Sequence, residues 1–394
     1  SVASRDVLAR GTDTAVVRTQ KVDPVLIYAR DGDIINANFG TLLTDSRTGD
    51  RFYYSGYPAY IRAGRDIVGL GSGTPSFTGS GSLFMHSFDD DISIIDAGRD
   101  LIWINALVAG PGTLELNAGR SFYQDDKGVL RSLGRIGSDA SDAPTGGADI
   151  AVTVGAGVEG PNFAAVRDAY LDPDNLADPE RPLADQDGMV AKVYSEELVE
   201  WLEGRWPEDA EQFGSDEQAL AYFDALAPEH QRIFLRDIYY AELKIGGREY
   251  SGKIDSGRRG SYLRGRQMVE TMFPGIDSEE GTSPYEGEFV QFSTGRAAGM
   301  IRTEFGGDIQ MLAPGGGVTL GLDAIRPENG DNGFLTQGTG NVQIYSQGDI
   351  ALGLSRIFTT FGGDIFGWSA AGDINAGRGA NTTVLYTPPR RVYD

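Results

Sequence analysis

Four arginines crowd one short stretch, Arg258, Arg259, Arg264 and Arg266, in a chain with 57 acidic against 34 basic residues. Guanidinium groups at this density can grip a uronate or a phosphate on a surface glycan through paired hydrogen bonds, so they are the candidate ligand-binding residues. They can equally pair with acidic coils beneath them and anchor a helical segment. A second candidate is the tyrosine group Tyr53, Tyr54, Tyr57 and Tyr60, which could stack sugar rings or simply cap loops. Carboxylates cluster at Asp89-Asp90-Asp91 and at Asp172, Asp174, Asp178, Asp185 and Asp187. Calcium needs six to eight converging oxygens, and neither run has the spacing of a known calcium loop, so a solvated acidic loop is expected, with no metal site.

Other chemistries are closed by composition. The chain has no cysteine and two histidines, His86 and His230, which excludes thiolate zinc sites, disulfides, cysteine nucleophiles and a three-histidine metal centre. No Gly-x-Ser-x-Gly is present, so neither histidine suggests a triad. Gly155-Ala156-Gly157-Val158-Glu159-Gly160 spells the dinucleotide fingerprint. Pro161 follows at once and no ribose-binding acid stands on a second strand, so no cofactor is expected there. Gly247 to Lys253 misses the phosphate-binding loop because Ile254 replaces its hydroxyl residue. A formal charge of −23 opposes nucleic-acid binding, and no apolar run is long enough to span a bilayer. The first 30 residues lack a signal-peptide core, and the start at Ser1 reads as a fragment or a processed product.

The elements that must position these residues are announced by a repeated phrase. Gly32-Asp33-Ile34, Gly64-Arg65-Asp66-Ile67, Gly98-Arg99-Asp100-Leu101 and Gly147-Ala148-Asp149-Ile150 precede a break. Gly307-Asp308-Ile309, Gly348-Asp349-Ile350, Gly363-Asp364-Ile365 and Gly372-Asp373-Ile374 follow it. Each opens a short run in which alternate residues are apolar, the period of a strand with one buried face. Glycine suits a sharp corner through positive φ, Asp can bind backbone amides there, and the aliphatic residue turns inward. Such corners build a coil that buries its side chains only against its neighbours, so a parallel β-helix of roughly ten coils is expected. The uneven spacing of the phrases implies loops leaving some corners, the Gly/Ser-rich Gly69 to Ser82 among them. An antiparallel sandwich would need Asn-Gly hairpins, and Asn329-Gly330 is the one candidate.

Between about 161 and 283 the composition changes. Residues 161–245 hold three of the 55 glycines, Gly188, Gly204 and Gly214, and the apolar spacing becomes helical. Val190, Val193, Tyr194, Leu198 and Leu202 mark one helix. Ser215-Asp216-Glu217-Gln218 is a capping box opening a second. Pro228 to Lys244 forms a third that stops at Gly246-Gly247.

The Gly-Gly-Asp-Ile and Ala-Gly-Arg-Asp-Ile phrases resemble the repeats of filamentous-haemagglutinin-type exoproteins, the large secreted partners of bacterial two-partner secretion. Tyr262-Leu263-Arg264-Gly265, Phe273-Pro274-Gly275, Tyr285-Glu286-Gly287, Phe305-Gly306-Gly307-Asp308-Ile309, Ala313-Pro314-Gly315-Gly316-Gly317 and Ala371 to Ala380 look like an uncharacterised C-terminal domain of that family. The similarity covers nearly the whole chain. It implies a right-handed β-helix, export through an outer-membrane transporter, and a secreted or cell-surface location. No established catalytic residue comes with it.

The expectation is therefore an all-β fold, a right-handed parallel β-helix over 1–160 and 284–394, interrupted by an α-helical insertion over 161–283. The expected function is a non-enzymatic adhesive spacer whose loops and insertion meet host or bacterial surface glycans or proteins. The alternative is a polysaccharide lyase or hydrolase, since β-helices of this kind can set two acids, or an acid and a base, on one outward face.

Overall fold

The glycine-aspartate-aliphatic phrases fall into two series, each at its own corner of one solenoid. The structure, a computed structural model, describes residues 23–39, 57–71, 81–125, 128–134, 146–292, 300–321 and 333–377, with the backbone of 41–44 and 51–54. Three parallel sheets form the walls of a parallel β-helix. Sheet 1 carries the long strands Val25–Ala29, Ala59–Ala63, Ile92–Ala97, Thr113–Ala118, Asp149–Val154, Ile309–Ala313, Val342–Ser346 and Ile365–Ser369, paired in that order. Sheet 2 carries eight short strands, from Ile34–Ile35 to Ile374–Asn375. Sheet 3 carries six, from Ser82–Met85 to Arg356–Thr359. The chain visits the sheets in the order 1, 2, 3, so the eight strands of sheet 1 number eight rungs among the described residues, fewer than the ten expected. Thr41–Thr44 and Arg51–Tyr54 pair antiparallel as an excursion from the coil. Asn329-Gly330 and much of Gly69 to Ser82 lie outside the described residues.

The aliphatic residues after Asp33, Asp66, Asp100, Asp349 and Asp373 sit in one column of sheet 2. It reads Ile34, Ile67, Leu101, Phe122, Phe289, Val318, Ile350, Ile374. Those after Asp149, Asp308 and Asp364 start sheet 1 strands and stack as Ile150, Ile309, Val342 and Ile365. Through rung seven both columns serve one core along one axis, with Ile61, Ile95, Leu116, Val152 and Met311 at its centre, and Ile365 and Ile374 of rung eight end them exposed. This explains the uneven spacing. Asp308 to Asp349 runs from the corner before sheet 1 to the corner after it one rung later, whereas Asp364 to Asp373 merely crosses one strand.

The glycines differ from expectation in their reason. Gly64 and Gly98 have no positive φ. A Cβ on Gly64 would lie 2.0 Å from the carbonyl oxygen of Arg30, and one on Gly98 would lie 2.4 Å from that of Gly64. The stacking distance of about 4.8 Å leaves no room for a side chain at that corner. Gly307 and Gly363 combine both demands, with φ of 91° and 88°.

Five α-helices lie between Val154 and Phe289, on the path from sheet 1 to sheet 2 of rung five: α1 Phe163–Tyr170, α2 Ser195–Arg205, α3 Asp216–Ala225, α4 Pro228–Tyr250 and α5 Leu263–Met272. Ser215 caps α3 by accepting the amide of Gln218 at 3.3 Å. Helix α4 does not stop at Gly246-Gly247 as the sequence suggests. It runs on to Tyr250 because α5 crosses it there, and a Cβ on Gly246 would stand 3.0 Å from the amide nitrogen of Gly265. Gly246 is a close-packing site inside the helix, whereas a Cβ on Gly247 would meet open space.

Helix α4 is the spine of the attachment. Glu229 accepts from the hydroxyl of Tyr60 on rung two at 2.8 Å, and Ile233 packs on Ile92 and Ile94 of rung three. Arg236 donates to Gln310 of rung six at 2.7 Å, Tyr240 donates to the carbonyl of Met311 at 2.6 Å, and Lys244 reaches Asp364 of rung eight. A helix of 23 residues spans about 35 Å at 1.5 Å per residue, comparable to seven stacking intervals. The helical core includes Leu198, Leu202, Phe223, Tyr239 and Met268, and it takes in Leu312 and Tyr345 from the outer surface of sheet 1.

Candidate surface site

Six of the eight repeated acids, Asp33, Asp66, Asp100, Asp149, Asp308 and Asp349, accept a backbone amide of the next rung. Asp33 accepts the amide of Asp66 at 3.1 Å and a two-pronged contact from Arg65. Asp66 does the same for Asp100 and Arg99, and Asp100 for Ser121 and Arg120. At the other corner Asp149 accepts the amide of Asp308 and Asp308 that of Asn341, each at 2.7 Å. The side-chain oxygen of Asn341 then accepts from Asp364. Electrostatics separate the two ladders. The Arg65 guanidinium and the Asp66 amide hold the carboxyl of Asp33 down at about 2. Asp149 has no such arginine, and burial together with the neighbouring charge of Asp308 pushes it up to about 7.

The arginine group is split by the fold. Arg264 is buried and forks onto Glu242 at 2.7 and 2.5 Å, with a third contact to Glu249 at 3.3 Å. Arg258 forks onto Glu249 at 2.8 and 2.6 Å. These acids belong to α4, so the pairs tie α4 to α5 and the segment between them, and the coils beneath are not their partners. Arg266 meets the exposed Glu279 at 3.3 Å, and Arg259 is exposed near Gly252.

The remaining sequence candidates have local roles. Trp206 Nε1 donates to Asp90 at 3.2 Å, and the Asp90 carbonyl lies 3.0 Å from His230, so the Asp89-Asp90-Asp91 turn receives the insertion. Asp172 and Asp178 cap turns through the amides of Asp174 and Glu180. His86 is buried between Pro111 and Ser93. Among the described residues no group of three or more His, Asp or Glu is arranged to hold a metal ion. Of the tyrosines, the side chains of Tyr53 and Tyr54 lie outside the described residues, Tyr57 is exposed, and Tyr60 faces outward from rung two.

A cleft of about 720 Å³ opens on the outer surface of sheet 1, walled on one side by Ala156 to Pro161 and the start of α4. Its floor is a column in strict register, Tyr28, Arg62, Asp96, Asn117 and Thr153 on rungs one to five. Arg62 Nε stands 3.9 Å from Asp96, and the two side chains are 44% and 42% exposed. Burial raises the carboxyl of Asp96 above the ordinary aspartate range, with Arg62 opposing the shift. Beside it Glu115 is fully buried. Burial disfavours its charge, but Arg232 at 3.1 Å and Arg236 at 3.7 Å, with Asn117 donating at 2.8 Å, hold it ionised and below the usual glutamate range. Glu115 Oε2 and the Nε and Nη2 of Arg232 are buried without an aligned hydrogen-bond partner. Sequence reasoning missed this group. Alternation does turn Asp96, Glu115 and Asn117 outward, but lining them up with Arg62 and Arg232 requires the register of rungs 21 and 34 residues apart and the landing place of α4.

Among the described residues no helix is long and apolar enough to cross a membrane. No curated protein and no solved structure matches the chain. Residues 362–394 match the family described as filamentous haemagglutinin family outer membrane protein, and the described part of that segment forms rung eight. Over that terminal segment the chain is thus similar to filamentous haemagglutinin family outer membrane proteins, which supports the resemblance seen in its repeats.

Proposed function

We propose that the chain is a non-enzymatic, adhesive segment of a secreted or surface-displayed filamentous-haemagglutinin-like protein, exported through an outer-membrane transporter partner. In this reading 1–160 and 284–394 are the two parts of a rigid spacer, and 161–283 is an insertion that presents contact surface. The observation that carries it is the pair of axial ladders. The corner acids from Asp33 to Asp100 and from Asp149 to Asp308 each bind the next rung, so the periodic aspartates serve the rod and are not set out as acid and base. An anionic group on a neighbouring cell would meet the exposed Arg259 and compete with Glu279 for Arg266.

Asp96 favours a second reading, a carbohydrate-active enzyme. It is a carboxyl with a raised pKa beside an ionised Glu115 in an open cleft, the pairing a general acid needs. A glycan array run together with a reducing-end assay on polysaccharides separates the two. Binding without product is expected. Turnover abolished by Asp96→Asn would replace the adhesive reading with the enzymatic one.

A further inference from the structure

We infer that the register column on sheet 1 is a binding site for an uncharged, linear oligosaccharide laid along the solenoid axis. The inference deepens the adhesive reading and rests on it, because it names the surface and the class of ligand.

The column changes character where the insertion ends. Continued past Thr153 it reads Leu312, Tyr345 and Trp368, and the helices lie on all three. Before that point the same column holds Tyr28, Arg62, Asp96 and Asn117, and the cleft leaves them open. A solvated sheet face has no need of a continuous channel with one wall built by Ala156 to Pro161. At the channel's edge Arg232 and Glu115 face each other at 3.1 Å as an ion pair that lines it.

The chemistry of the floor selects the ligand. The lining carries three cations, Arg30, Arg62 and Arg232, against three anions, Asp96, Glu115 and Glu159, with Arg62 close to Asp96 and Arg232 close to Glu115. A balanced surface on a chain of formal charge −23 gives no net pull on an anion. What it offers is alternating donors and acceptors, which suits hydroxyl groups because each can donate and accept. Tyr28, 58% exposed, supplies a face for the apolar side of a pyranose ring. Spacing sets the shape. Rungs repeat at about 4.8 Å, close to the length of one sugar unit in an extended chain, so the column from Tyr28 to Thr153 takes roughly four units.

The test is calorimetric titration of the full chain with cello-oligosaccharides from dimer to hexamer, beside oligogalacturonates of the same lengths. Affinity for the neutral series should rise with length, level off near the tetramer and change little with added salt. Asp96→Ala and Asn117→Ala should each weaken the tetramer roughly tenfold, the loss of a hydrogen bond to a charged or desolvated partner. Arg62→Lys keeps the charge and removes the fork, and should weaken it less than Asp96→Ala. Circular dichroism identical to the parent shows that each variant has folded. Affinity that ignores length, stronger binding of the acidic series that Asn117→Ala weakens, or unchanged affinity in folded Asp96→Ala and Asn117→Ala would each overturn the inference. If a glycan array shows binding that these variants leave intact, the cleft assignment falls and the adhesive reading stands. If no glycan is bound and a polysaccharide is cleaved, the adhesive reading itself falls.

Discussion

The outer surface of sheet 1 is used in two ways. Over rungs six to eight it presents Leu312, Tyr345, Phe366 and Trp368, and the helices bury that surface as a second hydrophobic core. Over rungs two to four the same positions carry Arg62, Asp96 and Asn117 and stay open. The inner face makes no such distinction and is aliphatic from Ile27 to Ile344. A solenoid thus separates its tasks by face. The inside and the corners keep the rungs stacked, and the outside is free to become either an interface or a site. Helix α4 marks the border, touching apolar residues, the Glu115 ion group and the polar row in turn.

The sharpest way to break that comparison is to unseat the helices while keeping the coil. Arg264→Ala leaves Glu242, 1% exposed, without its forked partner, and an uncompensated buried charge costs about 3–5 kcal/mol. The helical signal in a thermal circular-dichroism scan should then be lost well below the strand signal. Simultaneous loss of both would mean that rod and helices are one cooperative unit. The converse disruption is Gly98→Ala, whose Cβ would be forced against the carbonyl of Gly64 at 2.4 Å. A cost of about 1–3 kcal/mol is expected, read as a lower denaturant midpoint for the strand transition.

The two corner ladders should also part company with pH. Asp33 has a folded pKa below its unfolded value, so its contribution is present above about pH 4 and is lost as pH falls toward 2. Asp149 has a raised folded pKa, so its contribution is greatest below about pH 4 and is lost as pH rises through 7. Denaturant midpoints measured across pH should therefore gain on the alkaline side in Asp149→Asn, which keeps an oxygen for the Asp308 amide. They should lose their acid-side slope in Asp33→Asn. Identical profiles for the two variants would show that the ladders are electrostatically equivalent. The smallest effect is expected for Asp66→Asn at neutral pH. The pair with the half-exposed Arg99 is screened by solvent, and the backbone contact from Asp100 survives the change.

Much of the rod was legible because its cause is local and repeated. Each phrase joins a glycine, an acid and an inward aliphatic residue within four positions, and that is enough to predict a stacked parallel coil. The phrases could not reveal that two corners share one vocabulary, since the difference lies in which sheet follows. They also led to a wrong reason for Gly64 and Gly98, where the obstacle is the neighbouring rung's carbonyl. In the insertion, Ser215 and the apolar spacing of α3 and α4 were readable, whereas of the five residues read as one earlier helix only Leu198 and Leu202 lie in α2, and Val190, Val193 and Tyr194 precede it. Helices α1 and α5 were not readable, nor was the extension of α4 through Gly246, which the crossing of α5 at Gly265 decides.

The candidate site lay further from view. Arg258, Arg259, Arg264 and Arg266 are neighbours in the chain, yet the fold sends Arg264 into a buried pair and leaves Arg259 at the surface. Arg62, Asp96, Glu115, Asn117 and Arg232 are scattered over 171 positions and meet on one face.

The amino-acid sequence by itself determined the period, the inward side chains and the acidic corners, because those depend on steric and hydrogen-bonding preferences within a few residues. Only the tertiary structure decided which outward residues are covered and which acids are neighbours. Those outcomes depend on rung register and on where one long helix comes to rest, and both are settled by packing between segments far apart along the chain.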